Sequence, residues 1–239
     1  MPKLATCPLG QNNLLRTLPA SDRATLEPLL QSVELGHRMV LSMAGQTPRH
    51  VYFPTSGVGS VIALGRGGRR IEAGLFGNEG MSATELVLGS DRAPTETVMQ
   101  VAGSGFALEA DIFRELLGKA PSLRHHLMLY AQTLFVQTSQ TALSNGHAKL
   151  EERLARWLLM CHDRISGDVL ELTHEFLSVM LGVRRAGVTV ATHLLEGKGL
   201  VRAERGRIEI LDRSGLEEAA QGTYGVPEAE YDRLFGRGP

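Results

Sequence analysis

The stretch from residue 172 to residue 211, LTHEFLSVMLGVRRAGVTVATHLLEGKGLVRAERGRIEIL, constrains the fold more than any other part of the chain. Thr173 can cap a helix, because its hydroxyl can accept a hydrogen bond from a free N–H group of the first turn. An apolar face follows at helical spacing, formed by Phe176, Leu177 and Met180. Gly182 then suits a tight turn, because glycine adopts positive φ at little cost. This order predicts a helix-turn-helix motif.

The second helix of this motif has an apolar stripe on one side and polar residues on the other. The stripe is formed by Val188, Ala191 and Leu195. The opposite face carries Arg185, Thr189 and His193, separated by four residues each. Because the second helix of such a motif enters the DNA major groove, we expect this polar face to meet DNA.

Two adjacent arginines, Arg184 and Arg185, open the second helix. A cation at a helix N-terminus is disfavoured by about 0.3–1 kcal/mol, because the free N–H groups there already carry partial positive charge. The pair is sensible if a phosphate lies opposite. The alternative is that both side chains are solvated or pair with nearby glutamates.

A hairpin is expected directly after this helix. Strand formers flank the turn Arg205–Gly206: they are Leu200, Val201, Ile208, Ile210 and Leu211. Arg202, Arg205 and Arg207 cluster at its tip. A basic hairpin after a recognition helix is typical of a wing that contacts the DNA backbone, although a solvated hairpin would show the same pattern.

Composition alone does not indicate nucleic-acid binding. The 239 residues carry a formal net charge of −1, but residues 174–207 contain six Lys or Arg and three acidic residues. No stretch has the roughly 18 apolar residues that span a membrane, and MPKLATCPLG is too polar for a secretion signal. The two cysteines, Cys7 and Cys161, cannot form a disulfide framework. We therefore expect a soluble, cytoplasmic protein without a membrane partner.

The first half of the chain consists of short apolar segments separated by Gly and Pro. These segments are MVL at 39–41, HVYFP at 50–54, GSVIAL at 59–64, RRIEAG at 69–74 and TVMQV at 97–101. Regular spacing of short strands predicts a β-roll or barrel rather than a parallel α/β sheet. GRGGRR at 65–70 lacks the order of a phosphate-binding loop and is interpreted as a hairpin turn.

A long helix is predicted from Pro121 to about Ser144. Residues at alternating three- and four-residue steps could form a dimer seam: Leu127, Tyr130, Leu134, Gln137 and Thr141. Packing onto the β-domain would explain the same stripe. Beyond residue 222, the Gly, Pro and charge content predicts a loose tail, with one helical turn near Tyr231 to Phe235.

The chain resembles the Crp–Fnr family of transcription regulators from about residue 14 to residue 222. The matching stretches are VLSMAGQTPRHVYFPTSGVGSVIAL, the long helix, EERLARWLL and LTHEFLSVMLGVRR. The resemblance implies an α+β fold with four parts: an N-terminal antiparallel, jelly-roll-like β-roll sensor domain with flanking helices (1–118), a dimerisation helix (119–146), a C-terminal winged helix-turn-helix (147–222) and a flexible tail (223–239). It also implies a homodimer on a palindromic DNA site, contact with RNA polymerase and a small-molecule effector.

The resemblance also assigns residues. Arg185 falls at the family's base-reading arginine, and Thr173 and His174 fall at its phosphate contacts. The chain departs from the family pattern at three positions of the second helix. Arg184 replaces a small hydroxyl residue, Ala186 replaces a glutamate, and Val190 replaces a second arginine. These departures leave the operator sequence open.

The effector site departs further from the family pattern. Cyclic-AMP-binding members carry Gly-Glu-Leu and then an Arg followed by Ser or Thr, whereas this chain reads GLFGNEGMSATELVLGSDRAPTETV. Arg92 is available for a phosphate, but Ala93 and Pro94 follow it. Ser82 stands where the ribose-binding glutamate is expected, with Glu79 nearby. Cyclic AMP is therefore not expected as the effector, the cysteines that ligate an iron–sulfur cluster are missing, and no cofactor or metal site is identified.

Three other functions remain open. An enzyme is disfavoured, because the best catalytic fragment, His174 to Ser178, lacks the second histidine of H-E-x-x-H. A sensor or scaffold without DNA binding is opposed by Arg185 and the wing. A constitutive DNA-binding regulator controlled by its abundance, with a vestigial β-roll, is consistent with the missing nucleotide signature.

Overall fold

The computed structural model describes residues 9–236. The expectations on MPKLATCPLG and Cys7 concern residues that lie largely outside this range. Two short helices come first, α1 (Asn13–Arg16) and α2 (Ala20–Leu26). Asn12 fixes the start of α1, since its side-chain oxygen accepts from Leu15 N at 3.0 Å while its amide donates to Pro54 O at 2.7 Å.

Two antiparallel sheets follow, as the sequence predicts. Their strands are β1 (Gln31–Leu35), β2 (Val40–Ser42), β3 (His50–Pro54), β4 (Val58–Leu64), β5 (Arg70–Phe76), β6 (Glu96–Val101) and β7 (Gly103–Glu109). One sheet has the order β1-β7-β3 and the other β2-β6-β4-β5. The antiparallel registers include Val33 opposite Gly105 and Phe53 opposite Phe106. The α+β fold class and the β-roll are thereby confirmed.

Strand β7 is the element that the sequence pattern misses, together with the mostly polar β1. Two glycines interrupt its apolar run. The structure explains both: a Cβ at position 103 would lie 2.2 Å from Ser56 O, and a Cβ at position 105 would lie 2.6 Å from Phe53 O, so only glycine allows β7 to approach these backbone segments this closely. A glycine that resembles a loop signal in the sequence is thus a packing requirement inside a sheet.

Aromatic rings fill the interior of the roll. Phe53, Phe76 and Phe113 are fully buried, and the rings of Phe53 and Phe113 meet edge to face at 6.4 Å. Phe76 lies directly over Gly59, where a Cβ would be 2.5 Å from the ring. Large side chains therefore occupy this part of the interior.

Helix α3 (Thr84–Val87) lies between β5 and β6. Three helices connect the roll to the C-terminal elements: α4 (Ala110–Lys119), α5 (Pro121–His147) and α6 (Leu150–His162). Helix α5 is the long helix that the sequence predicts. Its 27 residues carry apolar side chains both on a buried face and on an exposed face.

The residues proposed as a dimer seam lie largely inside the protomer, and this expectation needs correction. Leu127 is fully buried, and the hydroxyl of buried Tyr130 donates to Met81 O at 3.4 Å. Leu134 packs over Gly74. Thr141 is half-buried and donates to the Gln137 carbonyl at 2.9 Å. Packing inside the protomer, the alternative explanation of this stripe, is what the structure shows for Tyr130, Leu134 and Gln137.

Gln137 makes the most specific of these contacts. Its side chain accepts from Leu75 N at 2.6 Å and donates to Leu75 O at 3.1 Å. A polar residue in the lower half of the helix thus hydrogen-bonds to both backbone groups of a β5 residue. This use of Gln137 removes it from any intermolecular seam.

The C-terminal elements are β8 (Val169–Leu170), α7 (His174–Met180), α8 (Arg185–Gly197), β9 (Val201–Glu204), β10 (Arg207–Ile210), α9 (Arg213–Ala219) and α10 (Val226–Phe235). Strands β8, β10 and β9 form a small antiparallel sheet in that order. The predicted helix-turn-helix and wing are both present, and β8 is an additional strand on the outer edge of the wing.

The tail is more helical than predicted: instead of one turn near Tyr231 to Phe235, the helix α10 spans Val226–Phe235. In α10, Pro227 occupies the first turn and the Glu228 carboxylate accepts from Gly225 N at 3.0 Å. The rings of Tyr231 and Phe235 stack at 4.7 Å. Proline in the first turn and a glutamate two residues after Val226 are start signals for a helix, and they could have revealed it.

The chain divides by its contacts into two compact units. The first contains the described residues up to Gly59 and Phe76–Ala131; the second contains Ser60–Leu75 and Gln132–Gly236. The hairpin of β4 and β5 thus belongs mostly to the unit that holds the helix-turn-helix. Every helix within residues 9–236 is too short or too polar to cross a bilayer.

Candidate nucleic-acid interface

The first helix of the motif, α7, begins and ends as its sequence requires. The Thr173 hydroxyl accepts from Phe176 N at 3.1 Å, which satisfies one free donor of the first turn. After α7, Gly182 has φ +64°, and a Cβ there would lie 2.9 Å from Ile71 Cδ1. A side chain at position 182 would therefore be strained and crowded. This turn sets the direction in which α8 leaves.

Helix α8 begins with two exposed cations. Arg184 precedes the first helical residue and Arg185 occupies that residue. Within residues 9–236, neither guanidinium has an acidic partner at ion-pair distance. The alternative that they pair with nearby glutamates is thus wrong for the described chain. Two unpaired positive charges at the positive end of a helix leave an open site for an anion.

The structure brings three of the predicted contact residues together. His174 Nδ1 lies 3.0 Å from Thr189 Oγ1, and Thr189 Oγ1 lies 3.3 Å from the Arg185 carbonyl. Partial burial lowers the pKa of His174, and the positive charges of Arg185 and His193 lower it further. A bound phosphate would oppose both charge effects. The start of α7 is therefore linked by side chains to the start of the recognition helix.

The outward face of α8 differs from the predicted one by a partial rotation. The buried stripe consists of Val188, Ala191, Thr192 and Leu195. At about 100° per residue, the direction opposite this stripe passes within about 40° of Ala186, Val190 and His193. Thr189 is half-buried, and Arg185 lies at the edge of the face. Val190, 60% exposed, thus lies on this face, although the helical spacing in the sequence placed Arg185, Thr189 and His193 there.

The wing is attached firmly to the recognition helix. Glu196, near the end of α8, accepts from Ala203 N at 2.7 Å, which fixes β9 against the helix. Arg202 pairs with Glu209 across the hairpin at 3.1 Å. Arg205 and Arg207 are exposed, and within the described range they have no ion-pair partner. The wing tip therefore presents two free cations beside the helix.

A buried carboxyl lies beneath the motif. Glu72 on β5 accepts from Trp157 Nε1 at 2.8 Å and from the Ser60 hydroxyl. The Trp157 ring meets the Phe176 ring of α7 edge to face at 6.0 Å. Burial raises the pKa of Glu72 to about 7, against the attraction of Arg156 and Arg164. Sequence reasoning missed this residue, because its partners are distant in the chain.

The three predicted effector residues are in different surroundings. Ser82 is buried, and its hydroxyl accepts from Tyr52 N at 2.9 Å. Glu79 accepts from Gly77 N at 3.0 Å. Arg92 is exposed on the loop before β6. Two of the three side chains therefore hold backbone N–H groups of their own unit. Within residues 9–236, no cluster of three His, Cys, Asp or Glu side chains is arranged to hold a metal ion.

Comparison with known proteins identifies the helix-turn-helix domain that the structure contains. Residues 152–219 match the family model described as a Crp-like helix-turn-helix domain. A search of curated proteins gave no match.

Solved structures share the whole fold at low sequence identity. A protein from Eubacterium rectale classed with transcriptional regulators of the crp/fnr family has a TM-score of 0.68 and 18% identity, covering 89% of this chain and 100% of that one. The c-di-GMP-responsive global regulator CLP from Xanthomonas campestris has a TM-score of 0.63 and 17% identity, covering 80% and 99%. A CRP-family transcriptional regulator from Thermus thermophilus has a TM-score of 0.64 and 19% identity, covering 80% and 97%. The resemblance found in the sequence is thus supported at two levels: residues 152–219 match a Crp-like helix-turn-helix domain, and the chain has the fold of solved regulators of the Crp/Fnr family.

Proposed function

We propose that the chain is a transcription regulator that binds a palindromic DNA site as a homodimer in the cytoplasm. One observation carries this proposal: Arg184 and Arg185 are adjacent and exposed at the start of the recognition helix, and neither has an acidic partner among residues 9–236. Folding alone gains nothing from two cations at that helix end. A phosphate backbone supplies the anion that the arrangement needs.

Two classes of DNA contact follow from this arrangement. Arg185, on the first helical turn beside the outward face, is the candidate base reader, because a guanidinium can donate two hydrogen bonds to one guanine. Thr173, His174, Arg184, Arg205 and Arg207 are the candidate backbone contacts. Arg202 is a further candidate backbone contact, because its ion pair with Glu209 is exposed and costs little to open. Thr189 positions His174 rather than meeting a base directly.

The homodimer is proposed to form along the exposed stripe of α5. Phe135 is 66% exposed there, and Met128 and Leu143 are also exposed. Phe135 follows Met128 by one heptad, and Leu143 lies eight residues further, close to the spacing of a coiled-coil seam. This stripe replaces the seam predicted at Leu127 and Tyr130. A two-fold dimer would present two recognition helices, and two-fold symmetry in the protein calls for a palindrome in the DNA.

The β-roll is the proposed sensor for an unidentified effector. The support is the fold shared with CLP, which is described as responsive to c-di-GMP. Cyclic AMP is not the proposed ligand, because the Ser82 hydroxyl is buried on Tyr52 and offers no carboxylate to a ribose. The same use of Ser82 and Glu79 by backbone groups favours a second candidate, a regulator without a ligand that is controlled by its abundance. Contact with RNA polymerase is part of the proposal in either case.

The experiment is selection of bound duplexes from a random pool at stated salt, with wild-type protein and with Arg185→Ala. Wild type is expected to enrich a palindrome. Arg185→Ala should lose about 1–3 kcal/mol on that site and relax the preference at one base pair of each half. The matched control, Arg205→Ala, should weaken all sequences alike and reduce the salt dependence.

Two results would contradict the proposal: no enriched sequence with wild type, or unchanged base preferences in Arg185→Ala. Repeating the binding measurement with cyclic AMP should leave the affinity unchanged. A small-molecule extract of cells that increases the affinity would favour the effector-controlled regulator over the constitutive one.

A further inference from the structure

Val190 is in an unusual place for an aliphatic side chain. It lies in the middle of α8, 60% exposed, and points away from the buried stripe of that helix. A β-branched residue in an exposed helix position is less favourable than alanine, because the helix restricts its side chain. The folded chain therefore gains little from a valine at this position.

Its neighbours leave room for a close approach. Ala186 lies one turn before Val190 on the same face and has only a methyl group as its side chain. Gly197 ends the helix, and nothing lies within 4 Å of the place that a Cβ would occupy there. Leu194, one turn after Val190, is also exposed. The centre of the outward face is thus low and apolar, with Arg185 at one edge and His193 on the same side.

We propose that Val190 selects thymine, by packing against the 5-methyl group of a thymine in the major groove. This inference rests on the proposed function, because it needs α8 to enter the groove. Valine has no hydrogen-bonding group and so cannot read the donors and acceptors of a base edge. The thymine methyl is the apolar feature that base pairs present in the major groove. The two groups therefore complement each other, and a cytosine at the same step would leave Val190 without an apolar contact.

The test uses deoxyuridine, which differs from thymidine by that methyl group alone. In the palindrome selected by wild-type protein, each thymine of one half-site is replaced in turn by deoxyuridine. At one position, the replacement should weaken binding by wild type about fourfold, the value of one buried methyl group. Val190→Ala should bind the thymine and the deoxyuridine sites equally at that position.

Folding and specificity are controlled separately. Val190→Ala is expected to fold, because alanine is the better helix former, and its thermal melt checks this. Val226→Ala changes another exposed valine, at the start of α10, and should keep the wild-type response to deoxyuridine.

The outcomes distinguish this inference from the proposed function. If wild type selects no sequence, DNA reading fails as a whole and the role of Val190 with it. If wild type selects a palindrome that depends on Arg185 but responds to no methyl group, only the role of Val190 is overturned. A methyl effect of equal size in wild type and Val190→Ala would overturn it as well.

Discussion

Helices α8 and α5 differ in the chemistry of their exposed faces. Helix α8 buries a single stripe, and it has exposed cations at its start and a small apolar centre on its outer side. Helix α5 buries Leu127, Tyr130 and Gln137, and yet its outer side still carries Phe135 and other large apolar side chains. A helix with large apolar side chains on both sides is expected to be covered on both sides.

The difference indicates two kinds of partner. Water and a polyanion suit the outer face of α8, because the exposed cations Arg184 and Arg185 lie at its start. Another apolar surface suits the outer face of α5, because exposed phenylalanine gains free energy only by leaving water. A second copy of α5 is the partner that we propose, because two copies packed together would cover the exposed apolar stripe of each.

The largest expected effect comes from adjacent substitutions on α5. Phe135→Glu places a carboxylate in the proposed interface, where an unpaired charge costs several kcal/mol. The variant should be a folded monomer. Its affinity for the full palindrome should fall by about 10²–10⁴-fold, because its two half-sites then bind independently. Sedimentation and DNA titration measure the two effects.

Leu134→Glu is the matched substitution one residue earlier, on the side of α5 that packs over Gly74. It should lower the free energy of unfolding rather than change the oligomeric state of the folded fraction. Gln140→Glu, about 140° around the helix from Phe135, should leave both unchanged. A dimeric Phe135→Glu, or a folded monomeric Leu134→Glu, would return the seam to the face predicted from sequence.

Sequence reasoning succeeded where the signals are local. The cap at Thr173, the turn at Gly182 and the stripe of α8 each depend on neighbouring residues, and the structure contains all three. It failed where two faces compete. On α5, spacing shows that Leu127 and Phe135 can each belong to a stripe, but only the position of the strands decides which is buried.

Contacts between residues that are distant in the chain could not be predicted from the sequence, for the same reason. Glu72 and Trp157 are 85 positions apart, and nothing near either residue indicates their hydrogen bond. Gly105 shows the converse: a glycine that resembles a loop signal is required by a neighbouring strand. The effector residues were chosen by alignment, and alignment does not reveal that Ser82 already bonds to Tyr52.

The next largest expected effect is a pH dependence of stability. It tests whether the stability of the helix-turn-helix depends on the ionisation of Glu72 in the β4–β5 hairpin. The pKa of Glu72 is raised from 4.5 to about 7 by burial. Between these two values the folded chain keeps the proton while the unfolded chain has lost it. Raising the pH through this interval should therefore lower the free energy of unfolding, by about 3 kcal/mol from this residue. Denaturation of wild type at pH 5 and pH 8 measures the change.

Glu72→Gln is the control, since its amide oxygen can still accept from Trp157 and its amide group cannot ionise. Its pH dependence should be flatter than that of wild type by the same amount. Parallel curves for the two proteins would show that Glu72 does not titrate in this interval. The stability of the helix-turn-helix would then not depend on the ionisation of Glu72 in the hairpin.

The smallest expected effect separates two roles of one residue. Thr173 caps α7 through its hydroxyl and is also a candidate phosphate contact. Thr173→Ala removes the cap and should lower the free energy of unfolding by about 1 kcal/mol. Thr173→Asp keeps a side-chain acceptor at the helix N-terminus, where a negative charge is favourable. It should therefore be at least as stable as wild type in chemical denaturation.

DNA titration then divides the two roles. A carboxylate facing a phosphate repels it, so Thr173→Asp should bind all sequences more weakly than wild type despite its intact cap. Thr173→Ala should bind DNA almost as wild type does wherever it is folded, because it loses one neutral hydrogen bond at most. If Thr173→Asp binds DNA as tightly as wild type, Thr173 is a cap alone. The phosphate contacts of α7 would then have to come from His174, whose ring lies against Thr189 of the recognition helix.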